Sequence, residues 1–154
     1  MARYQIVTIG DEVLKYPAKA VTKFDDRIQK LLERMEETVR EENGVGLAAP
    51  QVGISKRVIL VLLEEEDRFL PMINPEILDF QGGEVLGQEG CLSVPGKMGF
   101  VKRWDKLTVR YQDPEGHERE MEAQGMLARI IQHEADHLNG VLFIQRAEQV
   151  EDIE

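Results

Sequence analysis

Apolar positions recur along the chain with two different periods, and the change of period divides it into elements. Ile28, Leu31, Leu32, Met35 and Val39 follow the spacing of an amphipathic helix, with Asp25 or Asp26 placed to cap its start and Asn43-Gly44 to stop it. The glycine-rich stretch "GVGLAAPQVG" follows, and then "RVILVLL" (57–63), whose β-branched content predicts a strand. Between Leu70 and Gln112 short apolar runs are broken by Gly, Pro and Asn, which predicts several antiparallel strands. "KLTVRYQ" (106–112), the turn "DPEG" (113–116) and "HEREMEA" (117–123) read as a hairpin. After Gly125 the helical period returns through Leu127, Ile130, Ile131 and Leu138, until Asn139-Gly140 closes it. The expectation is an α+β fold, with antiparallel strands packed around a central helix and a further helix near the N-terminus. No repeat or Pro/Ser-rich linker interrupts the pattern, so residues 1–154 are expected to form one catalytic domain.

Composition narrows the function classes. The formal net charge of -10 argues against direct DNA binding and against anionic membrane surfaces, both of which need basic patches. No apolar run approaches the roughly 18 residues of a membrane span. The N-terminal "MARYQIVTIGDEVLKYP" lacks the apolar core of a secretory signal, so a cytoplasmic location is expected. The acidic runs "EEED" (64–67) and "EDIE" (151–154) read as solvated loop and tail. The single cysteine allows no internal disulfide, and leaves inert packing, nucleophile or metal ligand as its roles.

The second helix carries the chemistry. In "QHEADHLNG" (132–140), His133 and His137 are four apart and share one face, close enough to hold one ion. Glu134 lies beside them, placed to act as a general base. A solvated polar face is the bland alternative, and the apolar flanks "ARII" and "HL" weigh against it. A catalytic site wants three protein ligands and an open position. Glu148, Glu151 and Glu154 sit in a polar tail, and His117 follows a turn and is expected at the surface. Cys91, in "GQEGCLSVPG", remains, either as the third ligand or as a buried core thiol.

"GVGLAAPQ" (44–51), "EGCLSVP" (89–95) and "QHEADHLNG" (132–140) together resemble the three signature motifs of peptide deformylase, in that family's order and spacing. The resemblance implies that Cys91, His133 and His137 bind one divalent metal ion and that Glu134 is the acid/base residue. It implies an iron(II) enzyme that tolerates nickel(II), cobalt(II) or, less actively, zinc(II). Its substrate would be an N-formylmethionyl peptide, deformylated to formate and a free amine as new polypeptides emerge. The Gln51 side-chain amide and the Leu92 backbone N–H would stabilise the oxyanion. A zinc peptidase and a non-catalytic binding module are the competing classes.

Other residues follow from the shape of such a substrate. An extended peptide can pair with Gly44, Val45 and Gly46 on one side and with the Gly87-to-Glu89 segment on the other, where glycines permit close backbone approach. Val45, Met126 and Ile130 are candidates for a methionine pocket, although all three suit a core equally well. Glu89 and Arg103 are expected to pair and brace the cysteine loop, with Gln132 and Asp136 orienting the helix. A transient ribosome contact stays among the expected partners. Anchoring through a basic C-terminal helix does not, because "VLFIQRAEQVEDIE" is short and acidic.

Overall fold

Residues 3–153 are described by a computed structural model. Glu154, one of the tail carboxylates, and the first two residues of the N-terminal stretch lie outside the described residues. Helix α1 (Asp26–Glu41) begins where the Asp25 carboxylate accepts the Arg27 N–H at 3.0 Å. It ends at Asn43, whose φ of 56° turns the chain so that the Gly44 N–H meets the Val39 carbonyl at 2.9 Å.

Strands β1 (Gly46–Ala48), β2 (Val58–Leu63), β3 (Arg68–Cys91), β4 (Val94–Gln112) and β5 (Glu118–Gln124) form an antiparallel sheet in that order. Helix α2 (Met126–Leu138) packs on one face and α1 on the other. Strand β2 shows why its sequence is apolar throughout: Val58 and Leu60 join the α1 side of the core, while Ile59 and Val61 join the α2 side. A strand covered on both faces needs no polar alternation. Gln132 ties α2 to β4, its Nε2 donating to the Trp104 carbonyl at 2.8 Å and its Oε1 accepting the Trp104 N–H at 3.0 Å.

The region from Leu70 to Gln112 is antiparallel as expected, but it belongs to two long strands of 24 and 19 residues rather than several short ones. Asn74-Pro75, Gly82-Gly83 and Gly90 fall at register shifts, between Ile73 and Glu76, Gln81 and Glu84, and Glu89 and Cys91, where they bend a strand without ending it. Cys91 pairs with Val94, so Leu92-Ser93 forms the tip of this hairpin. The 113–116 turn is built on the Asp113 carboxylate, which accepts the Glu115 and His117 N–H groups at 2.9 and 3.0 Å. Glu151 and Asp152 of the "EDIE" run do not form a loose tail. A short helix α3 (Phe143–Arg146) leads into β6 (Gln149–Asp152), which pairs antiparallel with the start of β4.

Candidate metal centre and active site

The tip of the β3–β4 hairpin meets the last turns of α2. Ligand atoms of Cys91, His133 and His137 lie within 4.8 Å of one another, and the Cys91 Sγ is 3.3 Å from the His137 Nε2. The His133 Nδ1 is 2.8 Å from the Glu89 carboxylate, an arrangement in which Nδ1–H donates and the Nε2 lone pair is left for a metal. Phe143 stacks over the His133 ring with centroids 6.1 Å apart, which fixes the plane of the imidazole. His117 lies elsewhere, exposed beside Asp113.

The electrostatics fit a cation. Cys91 and Glu89 raise the His133 pKa against the opposing effect of burial, so the surroundings favour positive charge at that point. Burial, with His133 and Arg103 adding, pushes His137 well below its ordinary value, which leaves it the neutral imidazole a metal requires. One thiolate and two imidazoles are a competent donor set for the first-row divalent ions.

Behind the ligands runs an ionic network, buried at Glu89 and Arg103 and reaching the surface at Arg146. Arg103 grips Glu89 with two bonds of 2.9 Å and gives a third of 2.7 Å to Asp136, which in turn takes Arg146 at 2.5 Å. Arg129 adds a bond of 2.6 Å to Glu89 and one of 2.7 Å to the Val85 carbonyl. Burial alone would raise the Glu89 carboxyl, but hydrogen bonds to His133 and Arg103 outweigh it and hold it well below the ordinary carboxylate range. The pairing of Glu89 with Arg103 matches expectation. Arg129 went unnoticed in the sequence, although it lies one helical turn before His133 on the same face, where a second contact to Glu89 was open to it.

Glu134 is 4% exposed, and its Oε1 is buried without a partner among the described residues. Burial pushes its carboxyl up to about 7, opposed by His133 and Arg103 and reinforced by Glu89. A carboxyl poised near neutrality both takes and returns a proton. Gly46 makes room for it: a Cβ there would stand 2.7 Å from the Glu134 Oε2 and 2.9 Å from the Ile130 Cγ2. The glycine at 46 therefore serves the carboxylate, in addition to any backbone approach.

These groups open onto a cavity of about 420 Å³. Gly44, Val45, Gln51, Leu92, Met126 and Ile130 all line it. Val45 and Met126 are exposed there and take no part in the core, whereas Ile130 belongs to both. Gly87 does not line this cavity. It lies in a smaller neighbour of about 240 Å³, over the Arg129 guanidinium, which a Cβ at 87 would meet at 2.7 Å. Glu89 lines the main cavity, but its carboxylate is spent on His133, Arg103 and Arg129, so only its backbone is open to a ligand. Gln51 sits in a single helical turn after β1, where its Oε1 accepts the Ala48 N–H at 2.9 Å. Its Nε2 then points to the Cys91 Sγ at 3.4 Å and the Ser93 Oγ at 3.2 Å. Ser93, fully buried, is a second residue the sequence reading passed over, since nothing in its spacing marks it.

The polypeptide deformylase family model matches residues 3–152. The chain belongs to the peptide deformylase family. The family's metal-dependent activity is the removal of the formyl group from N-terminal formyl-methionine of nascent polypeptides, with release of formate, and this chain is an enzyme of that kind. The peptide deformylase of Natranaerobius thermophilus is 51% identical over 150 residues, which covers 97% of this chain and 96% of that one. That of Thermoanaerobacter pseudethanolicus is 50% identical over 147 residues, 96% and 91% of the two chains. Among solved structures, the peptide deformylase of Thermotoga maritima superposes with a TM-score of 0.92 at 44% identity, over 97% of this chain and 100% of that one. The Synechococcus elongatus enzyme in complex with actinonin gives 0.91 at 44% identity, over 97% of this chain and 81% of that one. The α+β architecture expected from the hydropathy pattern is therefore the family's own.

Proposed function

We propose that Cys91, His133 and His137 hold one divalent ion in the deformylation site, and that iron(II) is the physiological one, with nickel(II), cobalt(II) or zinc(II) accepted by the same donors. When bound, the ion supplies Lewis acidity and brings the pKa of water from 15.7 to about 7. Glu134 takes the proton of the attacking water and delivers it to the departing amine nitrogen, so the carboxylate ends the cycle as it began. The Gln51 amide, with one N–H turned from the Cys91 Sγ, and the Leu92 N–H donate to the developing oxyanion. In support, the Leu92 N–H has no acceptor among the described residues, and the Gln51 amide is oriented by the Ala48 N–H at its oxygen. The peptide lies extended between Gly44–Gly46 and the Gln88-Glu89 edge, with its methionine side chain against Val45, Met126 and Ile130. Met-Ala-Ser is bound in a crystal structure of the Acinetobacter baumannii enzyme, which is 41% identical, and this favours a peptide in that channel.

No helix among the described residues is long and apolar enough to cross a membrane. A cytoplasmic location and a transient ribosome contact complete the reading. The observation that carries it is the convergence of three ligand atoms beside a buried Glu134 whose Oε1 has no partner among the described residues. The test is anaerobic purification, metal analysis and formate release from formyl-Met-Ala. Wild type should turn over, and Glu134→Gln should keep its metal while losing ~10²-fold or more in kcat. A Glu134→Gln protein with undiminished turnover would remove the proposed proton relay.

A further inference from the structure

Strand β6 has no core to serve, since each of its residues is exposed. Its backbone is nevertheless held closely. It pairs with β4 from Lys97↔Asp152 to Phe100↔Gln149, the Ile153 N–H donates to the Gly96 carbonyl at 2.8 Å, and Asp152 forms an ion pair with Lys97. The sequence makes room for this return: a Cβ at Gly99 would lie 3.0 Å from the Ala147 Cβ and 3.1 Å from the Gln149 carbonyl oxygen. The consequence is at the end of the strand. Ile153, an aliphatic side chain left 54% exposed, stands on the wall of the active-site cavity beside Pro95, Gly96 and Lys97.

We propose that Ile153 is a specificity-determining residue for deformylation: it makes an apolar contact with a side chain downstream of the formyl-methionine and favours an aliphatic residue there over a polar one. The proposal rests on the reading of this cavity as the peptide channel. Successive side chains of an extended peptide turn to opposite faces, so the residue directly after the methionine points away from the Val45–Met126–Ile130 pocket, and the next, back on the methionine's face, lies about 6.6 Å further along the channel. The wall built by the hairpin end of β4 and the residue after β6 has no ligand assigned to it, and Pro95 and Ile153 give it apolar surface beside the Lys97–Asp152 ion pair. An isoleucine held in water at a cavity mouth regains favourable burial only when something apolar covers it.

The experiment compares kcat/KM for formyl-Met-Leu-Ser, formyl-Met-Ser-Leu and formyl-Met-Ser-Ser in wild type, Ile153→Ser and Ile153→Leu, with metal content measured on each preparation. Wild type should prefer at least one leucine peptide over formyl-Met-Ser-Ser. Ile153→Ser should reduce that preference about fivefold, the scale of a partly buried aliphatic contact, and mainly through KM. Ile153→Leu should retain it. An unchanged preference in Ile153→Ser overturns the proposal, as does an equal loss on all three peptides, which would make β6 a mere prop for the cysteine hairpin. Wild-type protein that releases no formate from any of them would sink the peptide channel itself, and this proposal with it.

Discussion

Replacing Gly46 with alanine isolates the space needed by the general base. Gly46 lies in β1 and its φ is outside the left-handed region, so alanine meets no backbone strain there. The new methyl carbon would stand 2.7 Å from the Glu134 Oε2, 3.0 Å from its Cγ and 2.9 Å from the Ile130 Cγ2. Ordinary separations for such pairs are about 3.5 Å, so the overlap is roughly half an ångström or more at each. Ile130 is β-branched and on a helix, where its χ1 has one comfortable setting, so it does not yield. The carboxylate must swing instead, within a pocket that leaves Glu134 only 4% exposed. Over-packing of this kind costs about 1–3 kcal/mol, offset by about 0.4–1 kcal/mol from the stiffer unfolded chain. A displacement approaching an ångström at a reacting group costs on the order of 10²-fold in rate. None of the three contacts touches a proposed ligand atom, so metal content should hold at the wild-type level. The assay is anaerobic formate release with parallel metal analysis and thermal unfolding. The expected result is kcat down ~10²-fold, KM little changed and a melting point a few degrees lower. A kcat within twofold of wild type would falsify the role assigned to the glycine. A rise in KM alone would show that position 46 serves the peptide backbone and not Glu134.

Three further outcomes follow from the same geometry. Cys91→Ser should lower the metal content of the purified protein sharply, as read by elemental analysis; retention of the ion at full occupancy would mean that the thiol is not a ligand. Glu89→Gln should weaken metal affinity ~10–100-fold, because His133 exchanges a charged acceptor, held by Arg103 and Arg129, for a neutral amide oxygen, and a competition titration with a chelator reads this directly. Because the Glu89 pKa is depressed in the folded state, its stabilisation is present above the ordinary carboxylate value near 4.5 and is lost as the pH falls below it. The stability gap between wild type and Glu89→Gln in urea should therefore narrow from pH 5 toward pH 3, and a gap that stays constant would show that the ionised carboxylate is not its source.

Sequence periodicity alone determined the two long helices, the hydrophobic β2 and the hairpin built on Asp113, because each depends on spacing within one segment. The pairing of His133 with His137 was legible for the same reason, since four residues on a helix are neighbours wherever the helix goes. The "EGCLSVP" motif marked Cys91 and Glu89, and the Glu89–Arg103 pair was expected from charge, but their contacts with Gln51 and Arg129 were not. That Gln51 turns its amide toward Cys91 and Ser93, that Arg129 and Arg103 both close on Glu89, and that Gly46 is small for the sake of Glu134 were decided only by packing. These partners lie 14 to 88 positions apart in Arg103–Glu89, Arg129–Glu89, Gln51–Cys91, Gln51–Ser93 and Gly46–Glu134, and no local rule relates them. The two long strands were hidden likewise, because a glycine or asparagine that ends a strand and one that bends it look alike until a neighbouring strand holds the register. Local spacing fixes which atoms a segment can present; only the folded chain fixes what stands opposite them.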